Sequence, residues 1–527
     1  MQRNGIVKRG FVRLYLTVIK KGNIMKLTSK HEMNLTEGSI FKKLIIFALP
    51  LIATNILQLL FNVADVAVLG IFVENGDNAV AAVGATGALI NLIIGLFVGL
   101  SVGANVLVAR FVGSNDKERA ERVVGMSMVL SVVLGVVLAV TGFFCAEIFL
   151  GWMGCDETVI GMAAKYMQIY FIGMPIILLY NFCAAILRAV GDTLRPLIYL
   201  VIAGFVNVGL NVFFILVLKK DVEGVAIATI ASQAISAVLA IISLIKSDGF
   251  AHLDLRKLRF FKRELGDMVK IGLPSGVQGC VFSLSNVVIQ STINGFKQQA
   301  MTGNTIAAQF DGFIYNAMFG LSLACMSFVS QNLGAKNTER IRKTVKIALM
   351  DVFVIGIVTG GIILLLARPV GKLISDDPVV LDYAWRRLLI TSTTYFMCGL
   401  MDVMSNTMRG LGKTSGAMVI SISGSCLFRI LWVNTMCVWF PQIETLYWVY
   451  PVSWALTFAI YLAVYFPTMR RVERKLCLPT VGAVDCAEPA LFAAATEAEG
   501  NNANPSAHGF GSVRNRDKLN AKNDKIK

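Results

Sequence analysis

The amino-acid sequence predicts an all-α polytopic membrane protein with twelve transmembrane helices in two pseudo-symmetric six-helix bundles. Three observations predict this fold class: 56% of the 527 residues are hydrophobic, only 16% are charged, and the apolar residues form long uninterrupted blocks. A helix that crosses a bilayer needs about 20 mostly apolar residues, and such blocks recur from residue 44 to residue 467. This composition excludes a water-soluble globular protein.

Each span is predicted from an apolar block that ends at charged residues, glycine or proline. The first six are expected near residues 41–71, 79–109, 120–147, 160–187, 194–218 and 223–245. The second six are expected near residues 265–295, 302–332, 342–367, 384–408, 415–440 and 445–469. The resulting regions are a basic cytoplasmic N-terminal segment (1–38), an N-lobe (39–246), a cytoplasmic linker (247–263), a C-lobe (264–475) and a disordered tail (476–527).

The net charge of +16 is concentrated at membrane flanks rather than in a nucleic-acid-binding pattern. Residues 1–43 contain ten basic and two acidic residues, and basic clusters follow the second and sixth spans, whereas acidic residues follow the first, third and ninth. An excess of Lys and Arg marks cytoplasmic loops. We therefore predict a multi-pass protein of the cell (plasma) inner membrane with both termini in the cytoplasm. No basic stretch alternates with aromatic residues, so no nucleic-acid partner is expected.

The two halves of the chain resemble each other in sequence. Pro50 in the first half corresponds to Pro274 in the second, and the turn RAVGDT at 188–193 has its counterpart RGLGKT at 409–414. Each half has an even number of spans, so the halves share one orientation, and a site is expected between them. This arrangement favours a transporter over a channel.

Two other function classes lack the residues that they need. The sequence Gly412-Lys413-Thr414 resembles the end of a phosphate-binding loop, but Thr407 stands where that motif requires glycine, so ATP is not expected as a partner. All three histidines, at 31, 252 and 508, lie outside the predicted spans, and no intramembrane acid pair accompanies a nucleophile. We therefore predict that the protein is not an enzyme and has no cofactor. A monomer is expected.

The first span carries a polar face. Asn55, Gln58, Asn62 and Asp65 are spaced by 3, 4 and 3 residues, which places them on one side of a helix. A lone carboxylate in hydrocarbon costs at least about 2.5–3.5 kcal/mol, so Asp65 needs a partner or a wet cavity. Polar contact between helices is the alternative role for this face. Pro50 removes one backbone hydrogen bond and predicts either a hinge or a fixed kink.

The fifth span supplies possible partners for Asp65. Asn207 and Asn211 are four residues apart and therefore share one helix face. Their amide oxygens together with the Asp65 carboxylate would form an oxygen-rich site that suits Na⁺ or a proton equally well. Hydrogen bonding between helices remains the alternative.

The second half differs chemically from the first because Ile289 stands at the position equivalent to Asp65, counted from the paired prolines. Asn286 and Gln290 form a polar stripe on the seventh span, and Asp311 on the eighth is expected either in the cavity of Asp65 or at the water interface. Met318 is a candidate for an adaptable pocket, with core packing as the alternative. Asp402 and Arg429 are predicted to form a structural ion pair, because either charge alone would be costly in the membrane.

Several stretches together resemble one known family. FALPLIATNILQLLFNVADVAVLG at 47–70, GNTIAAQFDGF from 303, and the turns LRAVGDT and MRGLGKT resemble the multidrug and toxic compound extrusion (MATE) transporters, over roughly residues 37–475. The resemblance implies two six-helix bundles around a cleft. In the branch with an acidic first helix, Asp65 matches the coupling carboxylate, Pro50 the bending proline and Asn207 the fifth-helix asparagine. Asn211 departs from that branch, which often has aspartate there.

The function that this resemblance implies is secondary active export of small cationic amphipathic compounds, by alternating access, in exchange for Na⁺ or H⁺. The predicted ion-coupling residues are Asp65, Asn62, Asn207 and Asn211, with Asp65 as the metal ligand if Na⁺ is the coupling ion. The predicted substrate cavity comprises Asn55, Gln58, Asn286, Gln290, Asp311 and Met318. The alternative is a lipid-linked glycan flippase of the same superfamily, which would need a cationic cleft for pyrophosphate, and only Arg429 lies deep enough to contribute.

Overall fold

The structure, a computed structural model, describes residues 32–73, 76–153, 155, 157–372 and 377–477. Contacts divide the chain into two units, Met1–Lys475 and Leu476–Lys527. Residues 478–527, which make up nearly all of the second unit, lie outside the described residues. Residues 1–31 also lie outside them. The predictions of a disordered tail and of most of a basic N-terminal segment fall on those parts of the chain.

The first half contributes seven helices. They are α1 (Ile40–Phe72), α2 (Gly76–Gly113), α3 (Lys117–Trp152), α4 (Glu157–Ile172), α5 (Met174–Ala189), α6 (Leu194–Leu216) and α7 (Val222–Ile245). α4 and α5 meet at a bend of 51° and together make one span. Pro175 lies in the first turn of α5 and has no N–H to donate, so the helical hydrogen bonds of α4 cannot continue through it.

The second half repeats this pattern after a short 3₁₀ turn at Leu255–Lys257. Its helices are α8 (Lys262–Asn294), α9 (Gln298–Gly334), α10 (Thr338–Gly371), α11 (Pro378–Gly410), α12 (Thr414–Ser421), α13 (Phe428–Trp439) and α14 (Ile443–Cys477). A π-helical segment, Ile422–Leu427, joins α12 and α13 into one continuous span. The described residues thus contain eleven continuous spans and one bent span, which confirms the predicted twelve.

The internal repeat extends to the geometry of single turns. Asp116 caps α3 by accepting from the Arg119 N–H at 3.1 Å, and Asn337, its counterpart in the second half, caps α10 by accepting from the Arg340 N–H at 2.9 Å. Gly191 (φ +93°) and Gly412 (φ +74°) adopt left-handed conformations in the two equivalent turns. These positions favour glycine because other residues have a Cβ atom that is strained there.

The two halves meet where glycines let helix backbones approach. A Cβ atom added at Gly99 of α2 would overlap the backbone of Gly276 in α8, and one at Gly103 would overlap Met268. At the far end of α2, Gly113 lies against the Gln331 carbonyl of α9, and Gly334 lies in turn against Arg110. Small residues permit such close packing in membranes. α2 and α9 therefore cross tightly at the ends that lead into α3 and α10.

Substitution of Gly99 tests this packing. We expect Gly99→Ala to lower stability by about 1–3 kcal/mol, because an added methyl group has no space against the Gly276 backbone. Gly95→Ala, four residues earlier on α2, is the control: no heavy atom of the described residues lies within 4 Å of a Cβ placed there. The measurement is thermal unfolding in detergent, and equal stability of the two variants would contradict the packing.

Candidate functional site

Helix α1 packs on both halves of the molecule. Its first turns contribute Leu44, Phe47, Ala48 and Leu51 to a buried core built with residues of the second half. There the ring of Phe47 packs edge-on against Phe328, with 5.9 Å between centroids. Further along α1, Leu69 belongs to a core of first-half residues such as Ile215. Helix α1 therefore contacts the second half with its first turns and the first half with its last turns.

Pro50 lies within the part of α1 that packs on the second half, between Ala48 and Leu51. Its nitrogen cannot donate to the carbonyl of Ile46, and the Thr54 hydroxyl donates to the Pro50 carbonyl at 2.7 Å. The helix nevertheless runs continuously from Ile40 to Phe72. The role of Pro50 as a hinge stays a prediction.

The structure brings Asp65 together with both predicted asparagines. Asn211 donates from Nδ2 to Asp65 Oδ1 at 2.6 Å, and the same Nδ2 lies 3.4 Å from Asn207 Oδ1. Asn207 Nδ2 in turn donates to the Thr229 hydroxyl of α7 at 3.4 Å. Both asparagines are buried, whereas Asp65 keeps partial exposure. The site thus joins α1, α6 and α7 around one accessible carboxylate.

The electrostatics of this site suit a small cation or a proton. Asn211 Oδ1 is buried and accepts no hydrogen bond from the described residues, so its oxygen is available to a ligand. Within the same residues, Asp65 forms no salt bridge with any Lys, Arg or His, and no cluster of three or more His, Cys, Asp or Glu occurs. The oxygen donors fit Na⁺, which prefers carboxylate and carbonyl ligands like other hard cations.

Three further residues, Thr229, Tyr166 and Tyr170, neighbour this site and were not among the residues predicted for it. The rings of Tyr166 and Tyr170 on α4 stack at 6.1 Å, and both interact electrostatically with Asp65. Thr229 shares α7 with Ser232 and Ser236, and the spacings of three and four residues place the three hydroxyls on one helix face. That polar face was an available signal, together with the position of α7 directly after the span that carries Asn207 and Asn211.

Asn62 does not join the Asp65 site. Its side chain is exposed, and it forms no hydrogen bond with Asp65, Asn207 or Asn211 among the described residues. The spacing of three residues leaves it about 60° away from Asp65 around the helix axis. Gln58 is also exposed, and Asn55 has a buried Nδ2 without a partner in the described part of the chain. The cavity role of Asn55 and Gln58 stays a prediction.

The predicted ion pair between Asp402 and Arg429 is wrong. Arg429 donates to the Ser453 hydroxyl at 3.1 Å and to Asn286 Oδ1 at 3.3 Å, and it packs over the ring of Tyr450. Neutral oxygens and an aromatic face therefore replace the carboxylate. The electrostatic partner of Asp402 is Arg409 on the same helix. Arg429 is only 3% exposed, so its charge faces these groups rather than open space, and the flippase alternative stays a prediction.

Asp311 is buried in an ion pair rather than placed in a cavity or at the water interface. It accepts from Arg387 Nη2 at 2.9 Å and from the Thr391 hydroxyl at 3.0 Å. Arg387 also donates to the Asn304 carbonyl at 3.1 Å, and Asn304 reaches the exposed Gln290 at 3.3 Å. The sequence contained a signal for this pair, because Arg387 is a basic residue within the tenth predicted span. The expected cavity role of Asp311 is therefore wrong.

Met318 is also a core residue. It is 1% exposed, and its side chain fills the space left by Gly356 of α10 and Gly399 of α11. Its expected place in an adaptable pocket is wrong because those two glycines open space inside the bundle, which a thioether fills well.

A family comparison matches both halves of the chain. The MatE family model matches residues 50–213 and again residues 274–433, and the two matches begin at the paired prolines Pro50 and Pro274. The chain belongs to the MatE family. This confirms the resemblance drawn from the sequence and the internal repeat. MATE proteins are membrane transporters, which is consistent with a protein that is not an enzyme.

Relatives of this MATE protein agree in name and in fold. It is 27% identical over 394 residues to the "Probable multidrug resistance protein YoeA" of Bacillus subtilis, covering 73% of this chain and 85% of that one. It is 22% identical to the "Multidrug export protein MepA" of Staphylococcus haemolyticus, covering 75% and 87%. An outward-facing structure of a multidrug resistance MATE family transporter has a TM-score of 0.79 at 22% identity, covering 85% of this chain and 99% of that one.

Proposed function

We propose that this transporter exports small cationic amphipathic compounds in exchange for Na⁺ or H⁺ by alternating access, with Asp65 as the coupling carboxylate. The observation that carries the proposal is the partly exposed Asp65 carboxylate, held by Asn211 within a span. The names of the relatives support multidrug compounds as the substrates.

A comparison with Asp311 shows why Asp65 is the better candidate. The charge of Asp311 is balanced by Arg387 at 2.9 Å. Among the described residues Asp65 has amide donors but no cationic partner, so its charge is left for an exchangeable cation or proton. An intramembrane carboxylate with this surrounding is a site for ion binding rather than a structural element.

Coupling follows from the two sets of contacts that α1 makes. Binding of an ion or proton at Asp65 changes the interaction of α1 with Asn211 on α6, while the first turns of α1 remain packed on the second half. Ion and drug exchange only if they favour different conformations. In this proposal α1 transmits the difference, and Pro50, which lies in the part of α1 packed on the second half, is the hinge.

The orientation in the membrane follows from the face on which the basic side chains gather. Lys117, Arg119, Lys257 and Arg340 lie at the ends of helices where α2 leads into α3, α7 into α8 and α9 into α10. Lys257 binds Glu121 at 2.7 Å, and Lys117 donates to the Asp248 carbonyl at 2.8 Å, so these connections share one face, here named the basic face. Basic residues mark the cytoplasmic side. We propose that the basic face is cytoplasmic.

Transport in proteoliposomes tests the exchange directly. Efflux of an ethidium-like dye is measured with a Na⁺ gradient alone, a pH gradient alone and neither, with Asp65→Asn protein as the control. We expect one gradient to accelerate efflux at least about fivefold. Equal efflux under all three conditions, or a requirement for ATP, would contradict the proposal.

A further inference from the structure

The chain crosses the basic face just before α1 begins. Residues 32–38, here named the strap, are extended or bent rather than helical. Leu35 in its middle is fully buried. The Leu35 N–H donates to Gln331 Oε1 at 3.1 Å, and its carbonyl accepts from Asn332 Nδ2 at 3.3 Å. Both partners lie at the end of α9, so the strap is seated on the second half.

Arg340 of α10 holds the strap by its backbone. Its guanidinium donates to three strap carbonyls, those of Leu35 at 3.1 Å, Glu37 at 2.7 Å and Gly38 at 2.9 Å. Hydrogen bonds from a charged donor are stronger than neutral ones. One side chain therefore holds the second half of the strap, from Leu35 to Gly38.

The other side of the strap touches the first half. The Ser247 hydroxyl after α7 donates to Glu32 Oε1 at 3.3 Å. A Cβ atom added at Gly191, in the turn between α5 and α6, would overlap the backbone of Met33. The strap thus lies across the line where the two halves meet on this face.

Gln331 ties the strap and both halves together. Its Oε1 accepts from Leu35, and its Nε2 donates to the Ala189 carbonyl at the end of α5 at 2.7 Å. The side chain is fully buried. The halves cannot separate here unless the contact of Gln331 with Ala189 breaks and the strap leaves at least one of its two sides.

We propose that the strap is a latch on the gate at the basic face, and that it must leave its seat on Gln331 and Arg340 before the transporter opens there. The inference rests on the proposed alternating access. The strap lies before residue 50, where the match to the family model begins. The strap therefore lies outside the matched residues, whereas its seat on Gln331 and Arg340 lies inside them.

A buried serine at the gate supplies a reporter that is independent of the strap. Ser327 of α9 is 1% exposed and donates to Asn105 Oδ1 of α2 at 3.4 Å, one helical turn deeper than Gln331. Ser327→Cys, in a chain whose ten native cysteines are replaced, becomes reachable from the basic face only when α2 and α9 part. A membrane-impermeant maleimide applied to inside-out vesicles measures this opening as a rate of alkylation.

Release of the strap is expected to open the gate. Arg340→Ala should raise the alkylation rate of Ser327→Cys at least about tenfold. The substitution removes strap contacts that stabilise the form closed at the basic face, and the form open there does not have these contacts, so the equilibrium shifts toward the open form. The matched control is Arg342→Ala, which removes an exposed ion pair with Glu473 from the same turn of α10 and should leave the rate within about twofold. Leu35→Ser releases the strap from its own side and should act like Arg340→Ala.

Unchanged alkylation in both strap variants would overturn the proposal. In the unsubstituted chain, hydrogen exchange at the Leu35 amide should accelerate during turnover with dye and ion, and equal protection at rest and during turnover would also overturn it. Alkylation requires no dye and no ion gradient. Failure of the latch is therefore distinguishable from failure of ion exchange at Asp65.

Discussion

Asp65→Asn is expected to lower ion-driven dye export at least about tenfold while the protein reaches the membrane in normal amounts. The amide keeps the size of the side chain and can still bond Asn211, but it neither carries charge nor releases a proton. Coupling is lost because neither Na⁺ nor H⁺ can then distinguish two states of α1. Export is measured as ethidium efflux from cells and from proteoliposomes.

The control removes the same charge outside the membrane. Asp254→Asn, in the connection between α7 and α8, takes away a carboxylate that accepts from the Arg256 N–H at 2.9 Å. It should leave export close to that of the parent chain. Full export by Asp65→Asn, at normal protein levels, would exclude Asp65 as the coupling group even though the family assignment would stand.

Arg387→Met is expected to give a large loss of stability. It leaves Asp311, 6% exposed, without its cation, and removal of one partner from a buried ion pair costs about 3–5 kcal/mol. The measurement is the midpoint of thermal unfolding in detergent. The double variant Asp311→Leu with Arg387→Met should lose less than the two single variants together, because no charge is then left buried without a partner.

The neighbouring arginine provides the control for this prediction. Arg386 is half exposed and pairs with Asp382 at 2.8 Å and Glu444 at 2.9 Å. Exposed pairs contribute about 0–1 kcal/mol, so Arg386→Met should change stability little. If Arg387→Met unfolds at the same temperature as Arg386→Met, the ion pair with Asp311 is not a major source of stability.

The Asp65 site shows which contacts helical periodicity can predict and which it cannot. The four-residue spacing of Asn207 and Asn211 put both on one face, and the cost of a lone carboxylate in hydrocarbon required partners for Asp65; the structure joins all three. Asn62 satisfied the same periodicity and remains outside. Periodicity gives the direction of a side chain relative to its own helix but not the distance to a neighbouring helix.

The charged residues of the second half show that the free-energy cost of a buried charge predicts that it has a partner, but not which partner. The rule that a buried charge needs compensation was correct for Arg429, but its compensation comes from Ser453, Asn286 and the ring of Tyr450. For Asp311 the rule also holds, with Arg387 as the partner that sequence reasoning overlooked. Which groups meet depends on the rotation and depth of separate helices, which one-dimensional spacing does not contain.

The sequence by itself determined the twelve spans, the internal repeat and the candidate carboxylate, because each depends on local hydrophobicity, helix period or the free energy of a charge in lipid. Only the tertiary structure decided which half each part of α1 contacts, which charges pair, and that residues 32–38 lie on Gln331 and Arg340. Those contacts join parts of the chain that are far apart in sequence, such as Leu35 and Asn332. Their geometry depends on how whole helices pack, so no local pattern records it.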